Sequence, residues 1–147
     1  MQVSFTVLGE PRGKGRPRAT VRGGFAKVYT PNDTVVYENL IRVEYERQCG
    51  GAFFDKGRPV EMDIVAVYGI PRSASKKKVA MMQSGEIRPL KKVDSSNLLK
   101  AVEDSLNGVA YHDDVQIVET HVSRFYGENP RVVVTIKDVE TITRKEQ

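Results

Sequence analysis

The chain has 147 residues, enough for one domain with its own core, and at 39% hydrophobic and 29% charged residues it falls outside the disordered class. No apolar run approaches the ~20 residues of a membrane span, and "MQVSFTVLGEP" lacks the basic and long apolar regions of a secretory leader. The single cysteine, Cys49, excludes an internal disulfide, two histidines argue against a structural zinc site, and the net charge of +4 is small, so the expectation is a reducing cytoplasm and no membrane.

Taken in order, "VSFTVLG" (3–9) alternates with β-branched residues and predicts a strand. "EPRGKGRPRATVRGG" (10–24) is punctuated by Pro and Gly and predicts a basic loop, with "FAKVYT" a short strand after it. From Pro31, with Asn32 or Asp33 as cap, Val36, Leu40 and Val43 recur at helical spacing, and Tyr37 and Ile41 widen that stripe. Residues 59–70 alternate as a strand. "SASKKKVAMMQSG" predicts a short basic helix capped by Ser73 or Ser75 and ended by Gly85. A second short helix, capped by Ser95 or Ser96, carries Leu98, Leu99, Val102 and Leu106 on one stripe and stops at Gly108. "VQIVETHVSRFYG" and "RVVVTIKDVE" are two strands joined by "ENP". The pattern predicts a single α+β domain over 1–140, a mixed sheet of about four strands with helices packed on one face, and a frayed tail at 141–147.

Charge is unevenly spread. Residues 9–27 hold Arg12, Lys14, Arg16, Arg18, Arg22 and Lys27 against Glu10, a net of +5. Residues 71–92 hold Arg72, Lys76, Lys77, Lys78, Arg88, Lys91 and Lys92 against Glu86, a net of +6, which leaves the remainder at −7. Two basic, loop-like segments in a neutralised chain suit a polyanion, and nucleic acid above all. "GEPRGKGRPR" is not a Walker A loop, because only three residues separate Gly9 from Gly13-Lys14 and Gly15 follows. It suits contact with backbone phosphates instead.

Carboxylates flank the second short helix: Asp94 before it, Asp113 and Asp114 after it. A helix of about twelve residues spans roughly 18 Å, so its ends share a site only if the chain turns back through residues 109–112. Clustered carboxylates with oxygen donors alone suit Mg²⁺ or Mn²⁺. Lys100, one turn after Ser96, is placed to stabilise charge on a phosphate. Simpler roles exist for each: Asp94 at the helix dipole, Asp113-Asp114 in a turn, Lys100 paired with Asp104.

The stretch "VDSSNLLKAVEDSLNGVAYHDDVQI" resembles the signature of the RusA-type Holliday junction resolvases: Asp-x-Asp-Asn-Leu-x-Lys, then Asp, Leu-Asn-Gly and Asp-Asp-x-Gln-Ile. "GEPRGKGRPR" followed by "YTP", and "PRSASKKK", resemble other parts of the family. The resemblance implies a small α+β homodimer that cuts four-way DNA junctions in symmetric pairs with Mg²⁺ or Mn²⁺. It assigns catalysis to Asp94, Asp114 and Lys100, with Asp113 beside Asp114 at the metal. It leaves Arg12, Lys14, Arg16, Arg18, Arg22, Lys76, Lys77, Lys78, Lys91 and Lys92 to hold DNA. Ser96 stands where the family has its second motif aspartate, so one negative charge is missing; Ser96 then holds a metal-bound water or serves as the helix N-cap. A junction-binding protein that has lost catalysis, and a nuclease for other branched or single-stranded DNA, are the alternatives.

Overall fold

The computed structural model describes residues 1–15, 18–29, 32–91 and 93–139. The elements run β1 (Gln2–Leu8), β2 (Arg18–Arg22), β3 (Phe25–Tyr29), α1 (Asn32–Cys49), β4 (Val60–Gly69), α2 (Lys76–Ser84), α3 (Ser95–Leu106), β5 (Ile117–Gly127) and β6 (Arg131–Asp138). The result is an α+β domain with a mixed four-stranded sheet in the order β1-β6-β4-β5; β4 and β5 are parallel and the other pairs antiparallel. A parallel pair needs a long connection, and here α2 and α3 supply it.

Alternation decides which face is buried. Phe5 lies opposite Val134, and Val134 opposite Ile64; Val7, Val132 and Ala66 form the next row. All six are buried. Onto this face pack α1, through Tyr37, Ile41 and Tyr45, and α3, through Leu98, Val102 and Leu106. Phe5 and Tyr45 meet edge to face at 5.4 Å, a favoured aromatic geometry. The free edge of β1 is closed by a side chain: Gln48 accepts from the Thr6 N–H at 2.9 Å and donates to the Thr6 carbonyl at 2.7 Å. An amide thus stands in for a neighbouring strand.

Two expectations need correction. The stretch 10–24 is not one loop, because Arg18–Arg22 pairs with Phe25–Tyr29 in a two-stranded hairpin. Gly23 and Gly24 form its turn at φ 58° and 84°, the conformation a two-residue hairpin loop requires. The phase of α1 is also rotated. Val36, Leu40 and Val43 are 60%, 40% and 57% exposed, whereas Thr34, Tyr37, Glu38, Ile41 and Tyr45 are buried. The two stripes sit one residue apart, about 100° around the helix. The larger tyrosines win the core, and Glu38 goes in because it meets a lysine. The tail at 141–147 lies outside the described residues.

Candidate active site

The site is organised by α3. Its N-cap is Asp94, whose carboxylate accepts from the Asn97 N–H at 2.8 Å. Ser95 and Ser96 are therefore the first two helical residues, and the expectation that one of them caps the helix is corrected: a carboxylate outcompetes them by matching the helix dipole as well as its free N–H groups. Ser96, Lys100 and Glu103 follow at i, i+4 and i+7 and share one stripe. The Lys100 ammonium sits 3.3 Å from Asp104.

Beyond Leu106 the chain does turn back. The Gly108 N–H donates to the Tyr111 carbonyl at 2.9 Å, Ala110 to Leu106 at 2.9 Å, and the buried Tyr111 hydroxyl to the Glu103 carbonyl at 2.7 Å. Gly108 has φ 77°, which a side chain would resist. This return lays Asp113 and Asp114 beside the second half of α3, close enough for Asp114 to feel Lys100 and Asp104 and for Glu103 to feel Asp114.

Electrostatics there are crowded. Burial first, and then Asp113 and Asp104, push the Asp114 carboxyl above its ordinary range, with Lys100 opposing. Hydrogen bonds from the Val115 N–H and from Asp114 hold Asp113 below its range. Burial and then Asp114 raise Glu103. Asp113 therefore ionises before Asp114, and the four carboxylates Glu103, Asp104, Asp113 and Asp114 carry more negative charge than the two ammoniums at Asp104, those of Lys100 and Lys14, neutralise.

That surplus is the observation on which a divalent cation can be tested. A Mg²⁺-like ion takes one or two carboxylates and keeps several waters, and Asp114 among further carboxylates fits that demand. A denser seat is absent: among the described residues no three His, Cys, Asp or Glu side chains are grouped as metal ligands. Asp94, Asp113 and Asp114 are thus not grouped as a set of three ligands among the described residues.

Sequence reasoning overlooked Gln116 and Glu103. Buried Gln116 accepts from the His112 and Asp113 N–H groups at 2.9 and 3.0 Å. Its amide nitrogen donates to the carbonyls of Asp55 and Arg58 at 2.9 and 3.1 Å. One side chain thus ties the Asp113-Asp114 turn to the loop before β4. The signal was an amide two residues past a pair of aspartates.

The residues expected to meet DNA are dispersed. Arg12 is exposed, as are Lys76, Lys77 and Lys78 in the first turns of α2, after the Ser75 N-cap. Lys91 is exposed, with its ammonium 5.2 Å from the Tyr68 ring centre. Lys14 is different: it sits 3.0 Å from Glu38 and 3.1 Å from Asp104, and its N–H donates to the Asn97 carbonyl. Gly13 presses on Val93 so closely that a Cβ would lie 2.5 Å from its methyl. The segment therefore crosses the start of α3 as a fixed strap. Of Arg18 and Arg22 only the backbone is described, and Arg16 and Lys92 lie outside the described residues.

The RusA endodeoxyribonuclease family matches residues 9–137, which takes in the strap, α3 and the carboxylate turn. The chain belongs to the RusA family. It is a family of endodeoxyribonucleases that act on Holliday junctions, and the resemblance read from "DSSNLLK" and "HDDVQI" is borne out. The chain is also 36% identical to the uncharacterized protein YqaN of Bacillus subtilis (strain 168) over 139 residues, covering 93% of this chain and 96% of that one. No described helix is long and apolar enough to cross a membrane.

Proposed function

We propose that this chain is a divalent-metal-dependent endonuclease of the cytoplasm that resolves four-way DNA junctions by paired, symmetric cuts, working as a homodimer. The observation that carries the reading is the return of the chain that sets Asp114, on the turn after α3, within the field of Lys100 on α3, in a RusA-family chain. Asp114, with Asp113 beside it, and Asp94 would hold Mg²⁺ or Mn²⁺, with Ser96 contributing through a water. When bound, such an ion supplies a Lewis acid and lowers the pKa of its water. The protein's own groups do the rest. Lys100 carries its charge to the scissile phosphate as negative charge builds on the oxygens. Asp104 holds that ammonium in place from one turn away. Hydrolysis forms one P–O bond from water and breaks one P–O bond to a sugar oxygen, which takes up a proton. Arg12, Arg16, Arg18, Arg22, Lys76, Lys77, Lys78, Lys91 and Lys92 hold the arms through phosphates.

Neutral Ser96, with no three carboxylates grouped as ligands among the described residues, favours one second reading: a junction-binding protein that does not cut. A metal titration of junction cleavage separates the two. The wild type is expected to cut slowly, or only at high Mg²⁺ or with Mn²⁺. Ser96→Asp should lower the metal requirement, and an aspartate in the first turn is also favourable to the helix dipole. Asp94→Asn and Asp114→Asn should stop cutting while binding persists. Efficient wild-type cleavage at low Mg²⁺ with no gain from Ser96→Asp would show that another ligand completes the site. No cleavage by any variant, Ser96→Asp included, would hand the protein to the binding reading.

A further inference from the structure

The segment between α2 and α3 wraps the β5 edge of the sheet and is fastened there by two arginines that no catalytic role explains. Arg124 donates to the carbonyls of Lys91 and Val93, both at 2.8 Å. Arg88 sits over the Phe125 ring, its guanidinium carbon 3.8 Å from the ring centre, and its Nε donates to the Arg124 carbonyl at 2.6 Å. Phe125 and Arg124 are adjacent on a strand, so they face opposite sides of the sheet. The α2–α3 segment is thus gripped from both.

Stacking and one hydrogen bond fix the plane of the Arg88 guanidinium and use only Nε. Among the described residues its two terminal nitrogens have no hydrogen-bond partner, and the residue is exposed. Arg88 lines a cleft of about 510 Å³ together with Ser95, His121 and Ser123, among others. Two hydroxyls, an imidazole and the arginine fork thus share one cleft, which reaches the first turn of α3 at Ser95. Asp94 precedes the lining residue Ser95 in the chain and turns one oxygen to the Asn97 N–H. An oriented guanidinium with unused donors recognises a tetrahedral oxyanion well, because little side-chain entropy is lost on binding.

We propose that this cleft is a phosphate subsite, in which Arg88, backed by Phe125 and flanked by Ser95, His121 and Ser123, binds one backbone phosphate of the DNA strand that enters the active site. The inference rests on the nuclease reading and gives it a specific contact beside Asp94. It also gives the half-buried phenylalanine beneath the arginine on an edge strand a role: the ring fixes the fork.

Binding of a fluorescent four-way junction across a salt series tests it, with inorganic phosphate as a second probe. Arg88→Gln should weaken junction binding about tenfold and flatten the log–log salt slope by about 0.9, the loss of one phosphate contact. Arg88→Lys should keep the slope but recover only part of the affinity, because the charge remains and the fork is lost. His121→Glu leaves the Arg88 grip untouched and places a carboxylate in the cleft, so it should weaken junction binding as well. Millimolar phosphate should compete with the junction in wild type more than in Arg88→Gln; equal competition would mean an unspecific anion effect and sink the subsite. Wild-type affinity and slope in both Arg88→Gln and His121→Glu, with the wild type still binding junctions, would overturn the cleft and leave the nuclease reading standing. A wild type that binds no branched DNA would overturn the nuclease reading, and the cleft with it.

Discussion

Lys14 shows how one side chain can serve two ends. It is the only cation of the basic strap seen between two carboxylates among the described residues, and both belong to helices: Glu38 on α1 and Asp104 on α3. Burial alone would lower its pKa, but hydrogen bonds to Glu38 and Asp104 outweigh that, and the result is raised. Its sequence reading as a DNA contact is thus joined by a structural duty. Lys14→Met should leave two part-buried carboxylates facing each other and cost about 1–2 kcal/mol at neutral pH. Because the folded pKa lies above the unfolded one, this contribution is complete below about pH 10 and fades as pH rises through the folded value. The difference in denaturant midpoint between wild type and Lys14→Met should therefore be full at pH 7 and shrink above pH 10.5. Lys14→Arg should recover much of it. A Lys14→Met protein as stable as wild type at pH 7 would mean that the ion triad contributes nothing. Asp104, freed of one cation, would also hold Lys100 more tightly.

At the scale of elements, the 3₁₀ turn Asp114–Gln116 presents the carboxylates, and Gln116 closes a capping box with Asp113. Gln116→Met keeps the volume but strips two N–H groups and at least two carbonyls of their partner. The expected loss is about 2–4 kcal/mol in chemical denaturation, with slower cleavage at a temperature where the variant is still folded. A variant within 0.5 kcal/mol of wild type would remove the clamp from the site's architecture. Legibility also divides at this scale. The caps of α2, Ser75 and Gly85, were readable because both obey local chemistry that no tertiary contact overrides. The β2–β3 hairpin was signalled by Gly23-Gly24 but masked by the surrounding arginines and prolines. The phase of α1 was not decidable from periodicity, since Val36, Leu40 and Val43 make as good a stripe as Tyr37, Ile41 and Tyr45. Only the partner surface, β1 and α3, chooses between them. Likewise Asp113-Asp114 and Lys100 could be read as a pair of functional groups, but Glu103 could not, because its place beside Asp114 depends on how tightly the Gly108–Tyr111 return lies against α3.

For the molecule as a whole, the decisive question is number. Each chain carries one α3 and one carboxylate turn, whereas symmetric resolution needs two cuts on strands of like polarity. On the proposed reading, a twofold pair of chains would match the twofold of the junction and put one site at each cut. The purified protein should therefore sediment near twice 16.5 kDa. A mixing experiment goes further. If equal amounts of wild type and Asp114→Asn are unfolded and refolded together, half of the dimers formed are mixed, and each mixed dimer has one working site. Such dimers should nick a supercoiled plasmid carrying a cruciform without linearising it, so nicked circles accumulate as the Asp114→Asn fraction grows. Were a single chain to make both cuts in turn, dilution with Asp114→Asn would slow the reaction in proportion and leave the ratio of nicked to linear product unchanged. That constant ratio, or a monomer that still yields paired symmetric cuts, would contradict the twofold arrangement.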